Sequence, residues 1–381
     1  MVDEPIFEIL VPGIVGMKWL DLPGPARFVN RITAHLREGQ STVVATPLLT
    51  LQNFEKVIAE KLEQDLWRVH RSNAESVLAP LQWLTEELYI EPKSWVNWSV
   101  ESLFECLSPK QVIVVQGVTE KTWGTWRLFV KDFDLVSRRC PADERPVLLI
   151  FVRGVPIRHL QLNGVALSLE IWSNILSELD TLTYVDGLIR QSQKVSQYHK
   201  LVVRQIAALA LWDLDFAKFL AEQPISDLFD VRVIVRRGQE ALQMRDFAIT
   251  GEWENGGADK VDENELIHSF VLIDSQDPTD ELNRRVWAVQ AAELLPLIEI
   301  RRRASLNALR RYIPCPFWLG SDRKVTSLEE LEIGTLAFAA NTHKVPKELR
   351  DKVQWLANSR NSLAHLKALS ATSALDRRLY E

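Results

Sequence analysis

This sequence is poor in cysteine and contains no long apolar run. Its three Cys, at 106, 140 and 315, form no CxxC pair, which argues against a disulfide framework and a structural zinc site. The longest apolar runs, QVIVVQGV and PVLLIFV, are far shorter than the ~20 residues of a membrane-spanning helix. The N-terminus, MVDEPIFEIL, has no basic region before an apolar one, so no signal peptide is expected. We therefore expect a cytoplasmic protein without membrane contact.

Motifs for nucleotide, metal and nucleophile chemistry are also missing. No GxxxxGK[ST] phosphate loop follows the first predicted strand, and the near match VVQGVTEKTW has Glu120 where a glycine is needed. A carboxylate at that position would repel phosphate. The seven His stand singly, without HExxH or HxH, and there is no GxSxG elbow. The sequence therefore predicts no cofactor and no metal, and it favours a protein that is not an enzyme.

Charge is distributed unevenly along the chain. Residues 284–381 contain 17 Lys and Arg against 10 Asp and Glu, a net charge of +7, and the remaining 28 basic and 41 acidic residues give −13. This difference fits a domain boundary near residue 280. We expect the basic part to dock against the acidic body or an acidic partner, or to attract a polyanion. The 13 Trp are expected to fill cores and interfaces.

Strand-like and helix-like patterns alternate over residues 1–175. Strands are predicted at 6–11, 41–47, 66–71, 110–117 and 145–154, and helices at 24–39, 51–64, 73–89, 97–107 and 122–138. Continuous apolar strands separated by helices indicate a parallel sheet that is covered on both faces. The predicted fold class is therefore α/β, with a parallel sheet and flanking helices, followed by an all-α C-terminal domain.

Helical patterns dominate the rest of the chain. Residues 176–265 are predicted to be a mostly helical middle region, in which 230–238 is compatible with a strand or a helix and 251–265 with an exposed Gly-rich loop or linker. Residues 266–381 are predicted to be a basic helical domain. Its helices are expected at 279–313, kinked or broken at Pro296; at 327–341, with Ser327 and Glu330 as a capping box; and at 346–369, with Pro346 in the first turn.

The order of the N-terminal elements resembles the core of P-loop NTPases of the STAND or AAA+ type. The similarity covers roughly residues 1–250 and rests on the helix PARFVNRITAHLREGQ and the strands STVVATP, VIVVQ (in the Walker B position) and VLLIFV. Because the family's motifs are absent, the resemblance implies an inactive, degenerate member. Such members are associated with bacterial conflict and antiphage systems, where they serve as scaffolds or sensors.

One stretch, RNSLAH at residues 360–365, matches a functional signature residue by residue. It is similar to the R-N-x-x-x-H signature of the HEPN superfamily, helical domains of which many are metal-independent RNases that act as dimers. The resemblance covers about residues 280–381 and implies that Arg360 and His365 are the catalytic pair, with Asn361 as their polar neighbour. Histidine can exchange a proton near neutral pH, and arginine offers a planar cation to phosphate.

Helix geometry argues against such a site within a single chain. Asn361 and His365 share a helix face, whereas Arg360 lies about 140° around the helix from His365. An active site would therefore need a dimer or other residues. In the alternative that we favour, Arg360 and Asn361 bond to helix ends or to acids such as Glu332, and His365 caps a carbonyl. Residues Trp355, Leu356, Leu363, Leu366 and Leu369 would then form the core face.

The sequence thus predicts a non-catalytic scaffold or regulator that binds protein partners in a bacterial antiviral defence or stress system. The alternative is a HEPN-type endoribonuclease controlled by the N-terminal domain, with RNA bound by the basic C-terminal domain. Basic runs at 301–303 and 310–311 could guide RNA, although a solvated helix face is the role we favour for them. A winged-helix-like DNA-binding unit within 174–250 is a third hypothesis, against which the acidic balance of residues 1–283 argues.

Overall fold

The computed structural model describes residues 18–50, 54–64, 68–192, 196–243, 250–274, 280–319 and 323–381. Within them, a five-stranded parallel sheet has the strand order β2-β3-β4-β1-β5. Its strands are β1 (Ser41–Thr46), β2 (Arg68–Asn73), β3 (Gln111–Thr119), β4 (Val147–Arg153) and β5 (Leu167–Ile171). The predicted fold class, a parallel α/β sheet with flanking helices followed by a helical C-terminal part, is confirmed. The strand predicted at 6–11 lies outside the described residues.

The three central strands are apolar because both of their faces are covered. Successive residues of a strand point to opposite faces, so Val43 and Ile113 pack into one core and Val44 and Val114 into the other. One face is covered by α1 (Pro23–Arg37) and α2 (Phe54–Gln64), and the other by α3 (Pro80–Glu87), α4 (Val100–Glu105) and α5 (Glu120–Ser137). The helix predicted at 73–89 begins only at Pro80, because β2 extends to Asn73 and turns follow it.

Helices of the middle region pack into the core on the α1–α2 face. They are α6 (Glu178–Gln191), α7 (His199–Ala210), α8 (Leu214–Glu222) and α9 (Val231–Ala241), followed by α10 (Ser269–Asp274). The ambiguous segment 230–238 is therefore helical. Its apolar residues Val231, Ile234 and Val235 recur at helical spacing and are buried, while the intervening Arg232 and Val233 are exposed.

The expectation of an exposed loop or linker at 251–265 was wrong. This segment forms a short 3-10 turn (Trp253–Asn255) and an antiparallel hairpin of β6 (Ala258–Val261) and β7 (Asn264–Ile267). Trp253 is buried, and its Nε1–H donates a hydrogen bond of 3.1 Å to the carbonyl oxygen of Trp172, just beyond β5. A contact with a residue far away in the sequence therefore fixes a segment whose local composition indicates a loop.

The C-terminal part is helical and carries one short hairpin. Its elements are α11 (Glu281–Leu309), β8 (Phe317–Leu319), β9 (Arg323–Val325), α12 (Ile333–Thr342), α13 (Lys347–Ala364), α14 (Ala371–Ala374) and α15 (Arg377–Tyr380). α11 continues through Pro296 without ending, because Leu294 and Ile298 on either side of it are fully buried. The burial of these side chains offsets the hydrogen bond that a proline cannot donate.

Two predicted helix boundaries in this part were wrong. Ser327 caps a 3-10 turn, Leu328–Glu330, by accepting a hydrogen bond from the Glu329 N–H, and α12 begins only at Ile333. α13 ends at Ala364 rather than at residue 369. The chain then turns through Leu366, whose φ of 59° is incompatible with a right-handed helix.

Candidate functional site

An open parallel sheet binds ligands at the carboxyl ends of its strands, where neighbouring connections leave toward opposite faces. Here that crevice lies between β1 and β4. β1 leads into α2 on one face of the sheet, whereas β4 leads to Val155 and Leu160 on the other face. A nucleotide site in this fold is therefore expected at the carboxyl ends of these two strands.

The chain itself fills this crevice. The Leu48 side chain lies against Gly154, where an added Cβ would be 2.7 Å from it, and Leu49 lies against Gly256, where an added Cβ would be 2.3 Å from the Leu49 Cβ. Hydrogen bonds fix the loop: the Leu48 N–H donates to the Glu254 carbonyl oxygen at 2.8 Å, and the Gly154 N–H donates to that of Thr46 at 2.9 Å. Leu48 and Leu49 thus lie at the strand ends where a ligand is expected in this fold class.

The near match to a phosphate loop at residues 114–123 contains no loop at all. Gly117 lies inside β3 with φ of 81°, at a shift in the register between β3 and β4. α5 begins directly after the strand, at Glu120, with Thr119 as its N-cap. This segment is therefore an irregular strand that leads directly into a helix, and it leaves no loop to surround a phosphate.

The motif residues Arg360, Asn361 and His365 lie at the C-terminal end of α13. α11 positions this end: the Trp287 Nε1–H donates to the Leu363 carbonyl oxygen at 2.6 Å, and Gln290 bonds both the N–H and the carbonyl of Leu369. The Leu363 and Leu369 side chains are buried, as predicted, whereas Leu366 is exposed because the helix has already ended.

The three motif side chains all reach solvent. Arg360 is 43% exposed, and its Nη2 lies 3.9 Å from Oε2 of Glu332, the acid that the sequence suggested as its partner. Asn361 and His365 are exposed, and His365 is the C-cap residue, whose backbone N–H, at 3.0 Å, donates to the Asn361 carbonyl oxygen. Among the described residues, no side-chain hydrogen bond joins the three. The three residues thus lie at the exposed end of α13.

Most of the basic run at 301–303 is engaged within the C-terminal part. Arg301 Nε donates to the Leu379 carbonyl oxygen at 2.9 Å, and Arg302 bonds both Glu299 and the Leu331 carbonyl oxygen. The hydrogen bond from Arg302 holds the pKa of Glu299 below its usual range. These arginines therefore link α11 to the segments around it, and only Arg303 of the run is highly exposed.

An open groove lies on the α3–α5 face of the described chain. It has a volume of about 520 Å³. It is lined by the start of α3, by the irregular segment after α3, and by α5, through Ala79, Pro80, Leu81, Gln82, Trp95, Trp98, Val100, Phe129 and Asp132. Trp95 is 50% exposed, while Trp98 is held in place by a hydrogen bond of 2.8 Å from its Nε1–H to Thr85 Oγ1.

Sequence reasoning missed this groove because it assigned the 13 Trp to cores and interfaces in general and located no surface for them. The available signal was the spacing of Trp95 and Trp98 in PKSWVNWS, a segment with no helical or strand period. The surrounding stretch, residues 75–105, contains six Glu and a single Lys, a net charge of −5. Trp95, Trp98 and Phe129 thus line the groove together with Asp132, which suits a partner with an apolar anchor.

Three further findings concern membrane spans, metal ligands and similarity to known proteins. None of the helices in the described ranges is both long enough and apolar enough to cross a membrane. In the same ranges, His, Cys, Asp and Glu side chains form no group of three that could hold a metal ion. No protein-family model matches the chain, and no curated protein is significantly similar to it.

Solved structures give only weak likenesses. A structure of Drosophila ORC bound to DNA has 13% identity over 94% of this chain and 71% of that one, with a TM-score of 0.28. The Aeropyrum pernix ORC2 protein has 9% identity over 93% and 91% of the two chains, with a TM-score of 0.27. A second Drosophila ORC structure, bound to GC-rich DNA and Cdc6, has 12% identity over 100% of this chain and 77% of that one, with a TM-score of 0.24. At these scores the likenesses carry no argument about function.

Proposed function

We propose that this protein is a non-catalytic scaffold or regulator that binds a protein partner through the groove on its α3–α5 face. The observation that carries the proposal is the groove itself: exposed and half-buried aromatic side chains line an open cavity of about 520 Å³. Exposed aromatic clusters of this kind are typical of protein interaction sites, because aromatic side chains bury much area at little entropic cost.

The filled crevice supports the non-catalytic part of the proposal. Leu48 and Leu49 occupy the carboxyl ends of β1 and β4, and no Gly-Lys pair occurs anywhere in the sequence. The N-terminal part is then a degenerate P-loop NTPase-like domain that has kept its sheet and lost its nucleotide. A place in a bacterial antiviral defence or stress system follows from this resemblance alone and is part of the proposal.

Two experiments test the proposed function. Calorimetric titration with ATP and magnesium is expected to show no binding, and micromolar binding would overturn the degenerate assignment. Affinity capture from the native host with Trp95→Ala is expected to lose the partner that the wild type retains. Tyr89→Ala is the matched control, since Tyr89 is 91% exposed and does not line the groove. If the Trp95 variant captures the same partner, the groove is not the docking site.

A metal-independent ribonuclease is the second candidate, and one observation favours it. α13 ends at Ala364, so His365 lies beyond the helix and the angle of about 140° between Arg360 and His365 on a regular helix does not apply. Both side chains are accessible to solvent. Arg360 would then hold a phosphate, His365 would transfer the proton and Asn361 would orient the substrate. RNA would approach the basic C-terminal part, whose net charge is +7 from residue 284 onward.

A further inference from the structure

We propose that a groove between the end of α11 and the start of α13 binds single-stranded nucleic acid, with a base stacked on Tyr312 and phosphates held by Arg311 and Lys352. Three observations carry the inference: a cavity that these side chains share, two cations that pair with no described carboxylate, and an exposed aromatic ring beside them. The inference goes beyond the proposed function, because it uses neither the groove on the α3–α5 face nor residues 360–365.

The α11–α13 groove is an open cavity of about 260 Å³ in the basic C-terminal part. The turn after α11 and the first two turns of α13 supply its polar lining, Arg311, Tyr312, Glu348 and Lys352. Both walls are anchored in one core: Ile313, directly after Tyr312, and Val353, directly after Lys352, are buried among the same apolar side chains. The polar side chains are therefore presented from a packed scaffold and face one shared space.

Both cations of the groove lack a counter-charge from the protein. In the part of the chain that the structure describes, no carboxylate forms an ion pair with Arg311 or Lys352. Glu348, the acid in the lining, forms no ion pair with Lys352 one turn later in α13, and its place in the first turn suits the helix dipole. Lys352 is only partly exposed. A partly desolvated ammonium group beside an unpaired guanidinium favours an anionic ligand.

The segments that form the groove are basic as a whole. Residues 308–312 and 343–352 contain six Lys and Arg against two Asp and Glu, a net charge of +4. Arg310 pairs with Glu329, which lies outside these segments, and counting that acid leaves +3. The positive charge is therefore not cancelled locally, and it attracts the phosphates of a nucleic acid strand.

Tyr312 indicates which class of anion the groove suits. Its side chain is 41% exposed and lies in the same cavity as the two cations. Exposed aromatic rings stack on the bases of a single strand, while Arg and Lys bind the backbone phosphates. The bases of a duplex are already stacked on one another, so they do not reach such a ring. An acidic peptide would pair with the cations but would offer no base to Tyr312.

Fluorescence anisotropy of the full chain with labelled oligothymidylate tests the inference. DNA is the first ligand because it lacks the 2′-hydroxyl on which metal-independent RNA cleavage depends, so binding is measured separately from any ribonuclease activity. The wild type should bind this single strand more tightly than the duplex it forms with oligoadenylate. Oligouridylate should also bind, because RNA offers the same phosphates and exposed bases.

Each lining residue should leave its own signature in the binding curves. Tyr312→Ala should weaken binding by about 10-fold without changing its salt dependence, whereas Tyr312→Phe keeps the ring and should bind like the wild type. Arg311→Ala and Lys352→Ala should each weaken binding and reduce the slope of log K against log salt by about 0.7, because each removes one phosphate contact. Glu348→Gln should strengthen binding, since it removes a negative charge from the lining.

Phe338→Ala and Arg377→Ala are the matched controls. The Phe338 and Arg377 side chains are 57% and 81% exposed, and neither lines the groove. Unchanged circular dichroism spectra would show that all variants remain folded. The inference is overturned if the single strand does not bind, if the controls weaken binding as much as the groove variants, or if an oligoglutamate peptide binds more tightly than the oligonucleotide. Capture of a host partner through Trp95 is unaffected by such a failure, so the proposed function is tested separately.

Discussion

The Nη1 atom of Arg204 in α7 lies 2.8 Å from the Oε1 atom of Glu293 in α11. Lys200, one turn earlier in α7, lies 3.1 Å from the other carboxylate oxygen of Glu293. The Glu293 side chain is only 10% exposed. Leu201 of α7 packs in the same core as Leu294 of α11. The Glu293 carboxylate thus links α7 of the middle region to α11 of the C-terminal part, beside their shared apolar core.

Glu293→Gln should lower the free energy of unfolding by about 1–3 kcal/mol. The variant keeps the shape of the side chain but leaves two cations without their carboxylate. The effect stays moderate because Arg204 and Lys200 are well exposed and partly screened by solvent. Urea denaturation provides the measurement. Glu60→Gln, which removes the exposed pair with Lys56, is the matched control and should change stability by less than about 0.5 kcal/mol.

Stability should fall as the pH rises through the titration of Asp259. Burial raises the pKa of this carboxyl to about 6, although hydrogen bonds from Ser173 Oγ and the Lys260 N–H act in the opposite direction. A folded-state pKa above the unfolded value of 3.8 favours folding of the protonated form. This contribution is complete below about pH 4 and is lost as the pH rises through about 6, by up to about 3 kcal/mol.

Asp259→Asn should remove this pH dependence and raise the urea midpoint at neutral pH, because the amide stays uncharged and can still accept hydrogen bonds. Measuring the midpoint in steps from pH 4 to pH 8 gives the comparison. Glu265→Gln in the neighbouring strand β7 is the control, since Glu265 is exposed. A variant that is less stable than the wild type at neutral pH would show that the ionised carboxylate stabilises the hairpin.

The sequence predicted the strands that are buried on both faces and failed where half-buried segments depend on distant contacts. β1, β3 and β4 were recognisable as apolar runs because helices cover both sides of the sheet. β5 was not predicted, since LSLEI is short and four of its five residues are only partly buried. The hairpin at 258–267 was missed for a similar reason: Trp253, buried in the turn before it, finds its partner at Trp172, and no local pattern reveals that pairing.

The candidate sites also differ in how far the sequence alone could predict them. The absence of a phosphate loop could be read directly from the sequence, because that chemistry requires particular residues at a fixed spacing. The groove could not, because Ala79, Trp95 and Phe129 become neighbours only when α3, the segment after it and α5 pack together. The relative positions of Arg360 and His365 depend on the residue at which α13 ends. Helix ends are uncertain by one or two residues, so the sequence could not predict this geometry. The role of these two residues stays a prediction.

Gly256→Ala should destabilise the protein by about 1–3 kcal/mol, because Gly256 has φ of 80° and an added Cβ would lie 2.3 Å from the Leu49 Cβ. The clash would force apart the turn and the loop that fills the crevice. Gly124→Ala in α5 should have the opposite sign, a gain of about 0.5–1 kcal/mol, since no atom lies within 4 Å of its added Cβ. Thermal denaturation of both variants tests the filled crevice, and equal effects would contradict it.

Wild-type protein should not cleave RNA in the presence of a metal chelator if the scaffold proposal is correct. Arg360, Asn361 and His365 are exposed without being joined to one another, and a catalytic pair needs fixed geometry around a phosphate. Gel analysis of a labelled RNA would compare the wild type with the double variant Arg360→Ala/His365→Ala. The control is Arg350→Ala/His343→Ala, which makes the same changes elsewhere in the C-terminal part. Cleavage by the wild type and this control, lost only in the motif variant, would establish the ribonuclease instead.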